Sequence, residues 1–208
     1  MSTSTSDKPT ADPYREKNID NVSLKEKIED LSEFISKCKF GMMTTHHGQT
    51  GALVSRCMGL AAKENNGVDL IFHTNTISGK TSDISHDPHV NISFLNSSGE
   101  WASISGTSSM ITDRGTIKKY YSPALKAWLG DLGDGVHDGG PEDPRIGVIR
   151  VRTNTATYAI ARRGEKGVED QVRRGELGGE KEGETPQVTR LREVNEQEIE
   201  RWRRGEKE

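Results

Sequence analysis

Apolar residues recur with two different periods along this chain, and the change of period marks out its elements. Leu24, Ile28, Leu31, Ile35 and Cys38 fall on one face of a helix, with Lys25, Lys27, Glu29 and Glu33 opposite. Ser23 precedes them and Glu26 follows Ser23 by three residues, the spacing of a reciprocal N-terminal cap. A helix is therefore expected from Leu24, lying across what comes next. Period two then takes over. Strands are expected at 41–45, 52–62 and 68–73, separated by turns at His46-His47-Gly48-Gln49-Thr50-Gly51 and Asn65-Asn66-Gly67. A short helix over 76–85 ends at Asp87-Pro88, and Val90, Ile92 and Phe94 alternate within a strand at 89–95. A long strand at 100–112 carries Gly106, a candidate bulge. Asp113 can cap one helix and Pro123 can open another reaching Trp128. After a Gly/Asp/Pro-rich loop at 130–145, segments 146–152 and 155–160 supply the last strand. Six short strands, tight turns and few helices predict a small antiparallel barrel.

Both ends read differently. Residues 1–21 are rich in Ser, Thr, Asp and Lys and are expected to be disordered. The barrel domain is placed at 22–160 and a charged, low-complexity tail at 161–208. Within the tail, 162–184 has Val168, Val172 and Leu177 as its sizeable apolar residues and is expected to be disordered. A short helix near 195–204 is expected, capped by Asn195 with Glu198 and bearing a weak apolar face of Ile199 and Trp202. On this reading the tail adds little fold, and a chain ending at 161 keeps its barrel.

Composition agrees with an incomplete core: 31% hydrophobic and 29% charged over 208 residues. A net charge of -3 gives no electrostatic reason to expect nucleic acid. The first residues lack a basic and apolar leader, so neither a signal peptide nor membrane association is expected. Cys38 and Cys57 have no CxxC spacing and read as buried thiols of a reducing compartment, the cytoplasm.

Two stretches could carry chemistry. In 72–80 (Phe-His-Thr-Asn-Thr-Ile-Ser-Gly-Lys) hydroxyls, an amide, a glycine and a lysine lie between a strand end and a helix start, the makings of an anion site. On local physics alone an ordinary strand-to-helix turn is the commoner reading. In Ser55-Arg56-Cys57-Met58, an arginine in an apolar strand needs an anion or an edge at which to reach water. If the chain meanders, Arg56 and Lys80 converge on one phosphate. The acidic loop 131–143 lacks the ligand order of a calcium loop, and adjacent His46 and His47 do not face one ion, so no metal is expected. His73 reads as a satisfied structural histidine, and Tyr120, Tyr121 and Trp128 as packing residues with a cofactor contact the minority reading.

The chain resembles the pyridoxamine 5'-phosphate oxidase-like FMN-binding split barrels, and within them the general-stress-protein branch. The blocks that carry the resemblance are Phe34-Ile-Ser-Lys-Cys-Lys-Phe-Gly-Met-Met-Thr-Thr45, Ser55-Arg-Cys-Met58, Asp69-Leu-Ile-Phe-His-Thr-Asn75, Ser78-Gly-Lys80, Asn91-Ile-Ser-Phe94, Trp101-Ala-Ser-Ile-Ser-Gly106, Lys126-Ala-Trp-Leu-Gly130 and Asp143-Pro-Arg145. The resemblance implies a mainly β fold, a six-stranded antiparallel split β-barrel with flanking α-helices. It implies FMN, with the phosphate held by Arg56, Thr74, Asn75, Ser78 and Lys80 and the ring lined by backbone at Cys57 and Met58. Trp101 falls where oxidases of the family place a glutamine near the flavin. It further implies a homodimer with FMN at the interface, where Trp128 reaches the partner's cofactor. The implied function is a flavin-dependent oxidoreductase linked to stress or light responses, or else a non-enzymatic flavin-binding protein or a barrel acting through protein contacts. Gly79 and Ala61 stand where the family's oxidases carry Arg and Lys, and the C-terminal Arg-x-His of those oxidases is absent. These departures imply that pyridoxamine phosphate is not the substrate.

Overall fold

The computed structural model describes residues 12–161 and 189–207. Its strands are β1 (Phe40–His46), β2 (Leu53–Glu64), β3 (Asp69–Asn75), β4 (His89–Leu95), β5 (Trp101–Ile111), β6 (Ile146–Ala161) and β7 (Thr189–Val194). They are ordered β3-β2-β1-β4-β5-β6-β7, all antiparallel, and β3 also pairs with β6. That extra pairing closes six strands into a barrel, with β3 meeting β2 over 60–64 and β6 over 146–151. The expected six-stranded barrel is therefore present, with β7 added along 156–161 of β6, beyond the stretch that β3 pairs.

Helix α1 is Pro13–Asn18, α2 Leu24–Cys38, α3 Gly79–His86, α4 Arg114–Tyr120, α5 Pro123–Leu129 and α6 Glu196–Arg203. Leu24, Ile28, Leu31, Phe34 and Ile35 of α2 are buried, one residue per turn or so, as the apolar stripe predicts. They join Met43, Leu70, Phe72, Ile92, Phe94, Ile104 and Val151 from the barrel in one continuous core. A smaller core lies outside the barrel, where Ile117 of α4 and Leu125 of α5 cover Ile71, Ile146 and Val148.

The details depart from expectation in instructive ways. The last strand is one run of sixteen residues, not two pieces. Its irregularity faces Gly106: Ser105 pairs with Thr155 and Gly106 with Thr153, so the extra residue is Asn154. Gly106 supplies the room, since a Cβ there would lie 2.3 Å from the Arg152 carbonyl oxygen. The Ser23 hydroxyl accepts from Glu26 N, but the Glu26 carboxylate turns away from the cap to Arg192, 2.8 Å off. The helix cap is half formed because an arginine outcompetes a backbone N–H for that carboxylate.

Both chain ends correct the sequence reading. Segment 162–184, expected to be disordered, lies outside the described residues, as do residues 1–11. Residues 12–21 and 189–207, however, are built into the structure. Asp12 caps α1 through Arg15 N, Asn18 is fully buried and its Oδ1 accepts from Thr189 N at 3.0 Å, and Asp20 N donates to Leu191 O. The helix expected near 195–204 forms with its reciprocal Asn195–Glu198 cap, but its face is not weak. Ile199 and Trp202 belong to the main core, and Trp202 Nε1 donates to Asn66 O.

The hub of this arrangement is Arg192. Its side chain is wholly buried and reaches Asp20 (2.8 Å), Glu26 (2.8 Å) and Asp30 (2.6 Å), tying the N-terminal segment, α2 and β7 together. Burial would lower its pKa, but Tyr158 and Asp20 reverse that and hold it above its ordinary value. A charged residue in a charged tail gives no hydrophobic signal, so the apolar pattern does not single it out.

His73 also corrects an expectation. It sits on β3 with its Nε2 buried and without a partner among the described residues. Burial pushes its pKa down, offset in part by a hydrogen bond to the Tyr120 backbone. Nearby Glu64 would be raised by burial, but hydrogen bonds from Tyr120, Arg150 and Lys119 bring it down to about 2.

Three expectations follow from this packing. Truncation after residue 161 removes β7 and α6 and should abolish cooperative unfolding, read by circular dichroism in urea. Arg192→Ala leaves three carboxylates facing one another and should lower stability by about 3–5 kcal/mol, the cost of breaking a buried ion pair. For pH, the unfolded chain binds the His73 proton first. That contribution is intact above an ordinary imidazole value of 6.5 and is lost as pH falls through it toward the lower folded-state value. The Glu64 contribution is lost separately, as pH falls from 4.5 toward about 2. His73→Leu should flatten the urea midpoint between pH 7 and 5 and leave the acid limb in place. An unchanged slope in that window would assign it to other groups.

Candidate functional site

At one end of the barrel, β1, β2 and α3 bring four polar side chains together. Antiparallel pairing sets Met43 against Arg56, and Val54, Arg56 and Met58 share the less exposed side of β2. The Arg56 guanidinium donates through Nη1 to Thr45 Oγ1 at 2.7 Å and through Nη2 to Asp83 Oδ2 at 2.6 Å. The Thr45 hydroxyl in turn donates to the same Asp83 oxygen at 3.0 Å. Thr45 and Asp83 are buried. Burial would raise the Asp83 carboxyl, but the hydrogen bonds from Arg56 and Thr45 outweigh it and hold it below the usual carboxylate range.

Lys80 completes the group. It is 9% exposed, and its Nζ donates to Ser78 Oγ at 2.7 Å. No carboxylate pairs with it among the described residues. Burial and the nearby Arg56 charge both push its pKa down. Two neighbouring cations thus stand in a partly desolvated setting with one carboxylate, which Arg56 alone engages, a balance that favours a bound anion. Gly79 leaves open space beside them, with nothing within 4 Å of where a Cβ would stand.

The turn before α3 is held by its own polar groups. Asn75 Oδ1 accepts from Ile77 N at 3.0 Å, and the Thr74 hydroxyl donates to Asn75 O at 3.3 Å. Thr76 anchors the turn from below, its N–H donating to Arg145 O and its hydroxyl to Pro144 O. Arg145 is in turn clamped on buried Asp143 at 2.7 Å.

Of the residues singled out in the sequence, Arg56, Ser78 and Lys80 converge. Thr74 and Asn75 belong to the same turn, but their side chains are engaged in shaping it. Cys57 and Met58 lie on opposite faces of β2: Cys57 is exposed, and Met58 packs in the core. Trp101 opens β5, which β1 and β4 separate from β2, and it pairs with Leu95 and Ala159. Trp128 is exposed on α5. Within one chain neither tryptophan meets Arg56. Sequence reading passed over Asp83 and Thr45. A signal for Asp83 was present, because Lys80, Asp83 and Ile84 form the buried i, i+3, i+4 face of α3. Two charges on a helix's inward face mark a polar site.

Elsewhere, His46 and His89 each place Nδ1 2.7 Å from an oxygen of Asp87. Among the described residues no three His, Cys, Asp or Glu side chains are grouped so as to hold a metal ion. No described helix is long and apolar enough to cross a membrane.

Comparison with known proteins places the chain. Protein bli-3 of Neurospora crassa is 56% identical over 201 residues, covering 96% of this chain and 94% of that protein. The General Stress Protein 26 of Bacillus anthracis superposes with a TM-score of 0.52 at 26% identity, over 65% of this chain and 92% of that one. The general stress FMN/FAD binding protein of Xanthomonas citri superposes with a TM-score of 0.53 at 21% identity, over 64% and 88% respectively. A family model described as pyridoxamine 5'-phosphate oxidase like matches residues 26–181. With most of its length matched, the chain belongs to the pyridoxamine 5'-phosphate oxidase-like family.

Proposed function

We propose that this protein binds FMN and serves as an FMN-dependent oxidoreductase in a stress response, with the flavin phosphate at Arg56 and Lys80. The observation that carries this reading is a pair of neighbouring, partly desolvated cations of which only Arg56 has a carboxylate partner, Asp83, while Lys80 donates to the neutral Ser78 hydroxyl. Arg56 and Lys80 would neutralise a phosphate dianion, the Ser78 hydroxyl would donate to it, and the start of α3 would offer backbone N–H groups. The 74–75 turn would hold these donors in place. When bound, the flavin supplies hydride and electron transfer. The FMN/FAD binding of the Xanthomonas relative agrees with this assignment.

A second reading, flavin binding without turnover, is favoured by the C-terminus. Arg203 is engaged with Asp69 at 2.5 Å and Trp202 is in the core, so neither is available to a phosphorylated substrate.

The same proposal includes a homodimer. Phe40, Met42, Leu53, Leu95 and Trp101 are exposed on the outer face of β2-β1-β4-β5. Around them run Thr44, Ser55, Asn91, Ser93, Ser103 and Ser105, linked to one another in hydrogen-bonded pairs. In a chain that is 29% charged, none of these outward positions is Lys, Arg, Asp or Glu. An uncharged, partly apolar sheet face of this extent suits a self-complementary interface. In the dimer, Trp101 and Trp128 would come to the flavin from the partner, which accounts for their distance from Arg56 within one chain.

Purified protein incubated with FMN and desalted should retain the flavin absorbance bands, and loss of all bands would contradict the proposal. Arg56→Ala and Lys80→Ala should each weaken FMN binding by about 1.5–3 kcal/mol, the range for charge-assisted hydrogen bonds. Unchanged affinity in both would move the phosphate elsewhere. Met42→Glu should halve the mass measured by light scattering, whereas an unchanged dimer would place the interface on another face. Turnover of a reduced nicotinamide or another donor by the flavin-loaded protein separates the two readings.

A further inference from the structure

Asp83 is a carboxylate where an anion site would not be expected to hold one. It is 3% exposed, lies 2.6 Å from Arg56 and shares that arginine with Thr45. By charge alone it should repel a phosphate. Its geometry gives it a different effect. Arg56 has a long, flexible stem, and fixing it carries an entropy cost on binding. Asp83 and Thr45 engage Nη2 and Nη1 in the free protein, so that cost is met before any ligand arrives. Lys80 and Asp83 lie three residues apart on α3, an axial rise of about 4.5 Å. The ion pair therefore sets Arg56 at a fixed separation from Lys80 and bridges two strands to the helix. Without it, two neighbouring like charges would move apart, and Arg56, only partly buried, has solvent to move into.

We propose that Asp83, assisted by Thr45, is a positioning residue that holds Arg56 next to Lys80 and so gives the site its preference for a phosphorylated flavin over the unphosphorylated one. The inference rests on the reading of this site as the phosphate site. Its test is the ratio of two affinities, for FMN and for riboflavin, measured on the full chain by flavin fluorescence. Wild type should prefer FMN. Asp83→Ala should lose roughly tenfold in FMN affinity, the lower end for a charge-assisted hydrogen bond, with riboflavin changed less than twofold. Asp83→Asn keeps an oxygen that accepts from Arg56 and Thr45, and should keep the preference. Thr45→Val should shift the ratio in the same direction as Asp83→Ala, by less. If Asp83→Ala folds and leaves the ratio unchanged, or weakens both flavins equally, the positioning role is wrong. If Asp83→Ala does not fold, an unchanged ratio in Thr45→Val overturns the proposal. Should wild type itself show no preference for FMN, the phosphate reading fails first, and the two failures are thereby distinguished.

Discussion

Strand β3 is hydrogen-bonded on both edges, to β2 and to β6, and the rest of the molecule depends on that double pairing. It closes the barrel, so the main core can be lined from all sides by residues such as Leu70, Phe72 and Val151. It also fixes the point where the chain leaves the sheet. The pairing with β6 runs to Asn75 opposite Ile146, and the polar turn into α3 starts there. Because β2 flanks β3 and β1 flanks β2, the turn, α3 and Arg56 come together at one end of the barrel. A site built in this way has a rigid floor of paired strands and one short helix as its wall.

Charge, as well as apolar area, holds the outer layer on this barrel. Arg192 gathers Asp20, Glu26 and Asp30, Arg203 gathers Asp69, and Lys27 meets Glu198 at 2.8 Å. Buried ion pairs of this kind contribute modest net stability but penalise the loss of either partner heavily. They also require a particular arrangement of segments. Arg192 can satisfy three carboxylates only if the N-terminal segment, α2 and β7 are all in place, so the two ends of the described chain depend on each other. The low mean apolar content of the chain is offset here by charged pairs that a hydrophobic count overlooks.

The barrel was legible in the sequence because its strands alternate and its turns carry the residues that turns need. Val90, Ile92 and Phe94 gave the span of β4 to the residue, and Asp113 marked the start of α4. Arg56 stood out because an arginine in an apolar strand is costly, and Lys80 because it follows a hydroxyl-rich turn, although an ordinary turn was the commoner local reading there. The parts that went unread share one cause, polar groups buried by long-range partners. Asn18, Asp83 and Arg192 are all enclosed, and nothing local to any of them announces the partner. Closure itself was also hidden, since the β3–β6 pairing joins residues as far apart in sequence as Leu70 and Val151. Trp101 and Trp128 stand apart from Arg56 within one chain; in the dimer we propose, they would reach the flavin from the partner.

The functional account turns on an anion held between Arg56 and Lys80. The most direct measurement is the phosphorus-31 resonance of FMN bound to the full-length protein, followed from pH 8 to pH 5. A free phosphate monoester takes up its second proton near pH 6 and its resonance moves. Held by two cations, the bound phosphate should stay dianionic, with its resonance flat across that range. A resonance that titrates as free FMN does, in protein that retains the flavin, would place the phosphate in solvent and contradict the account.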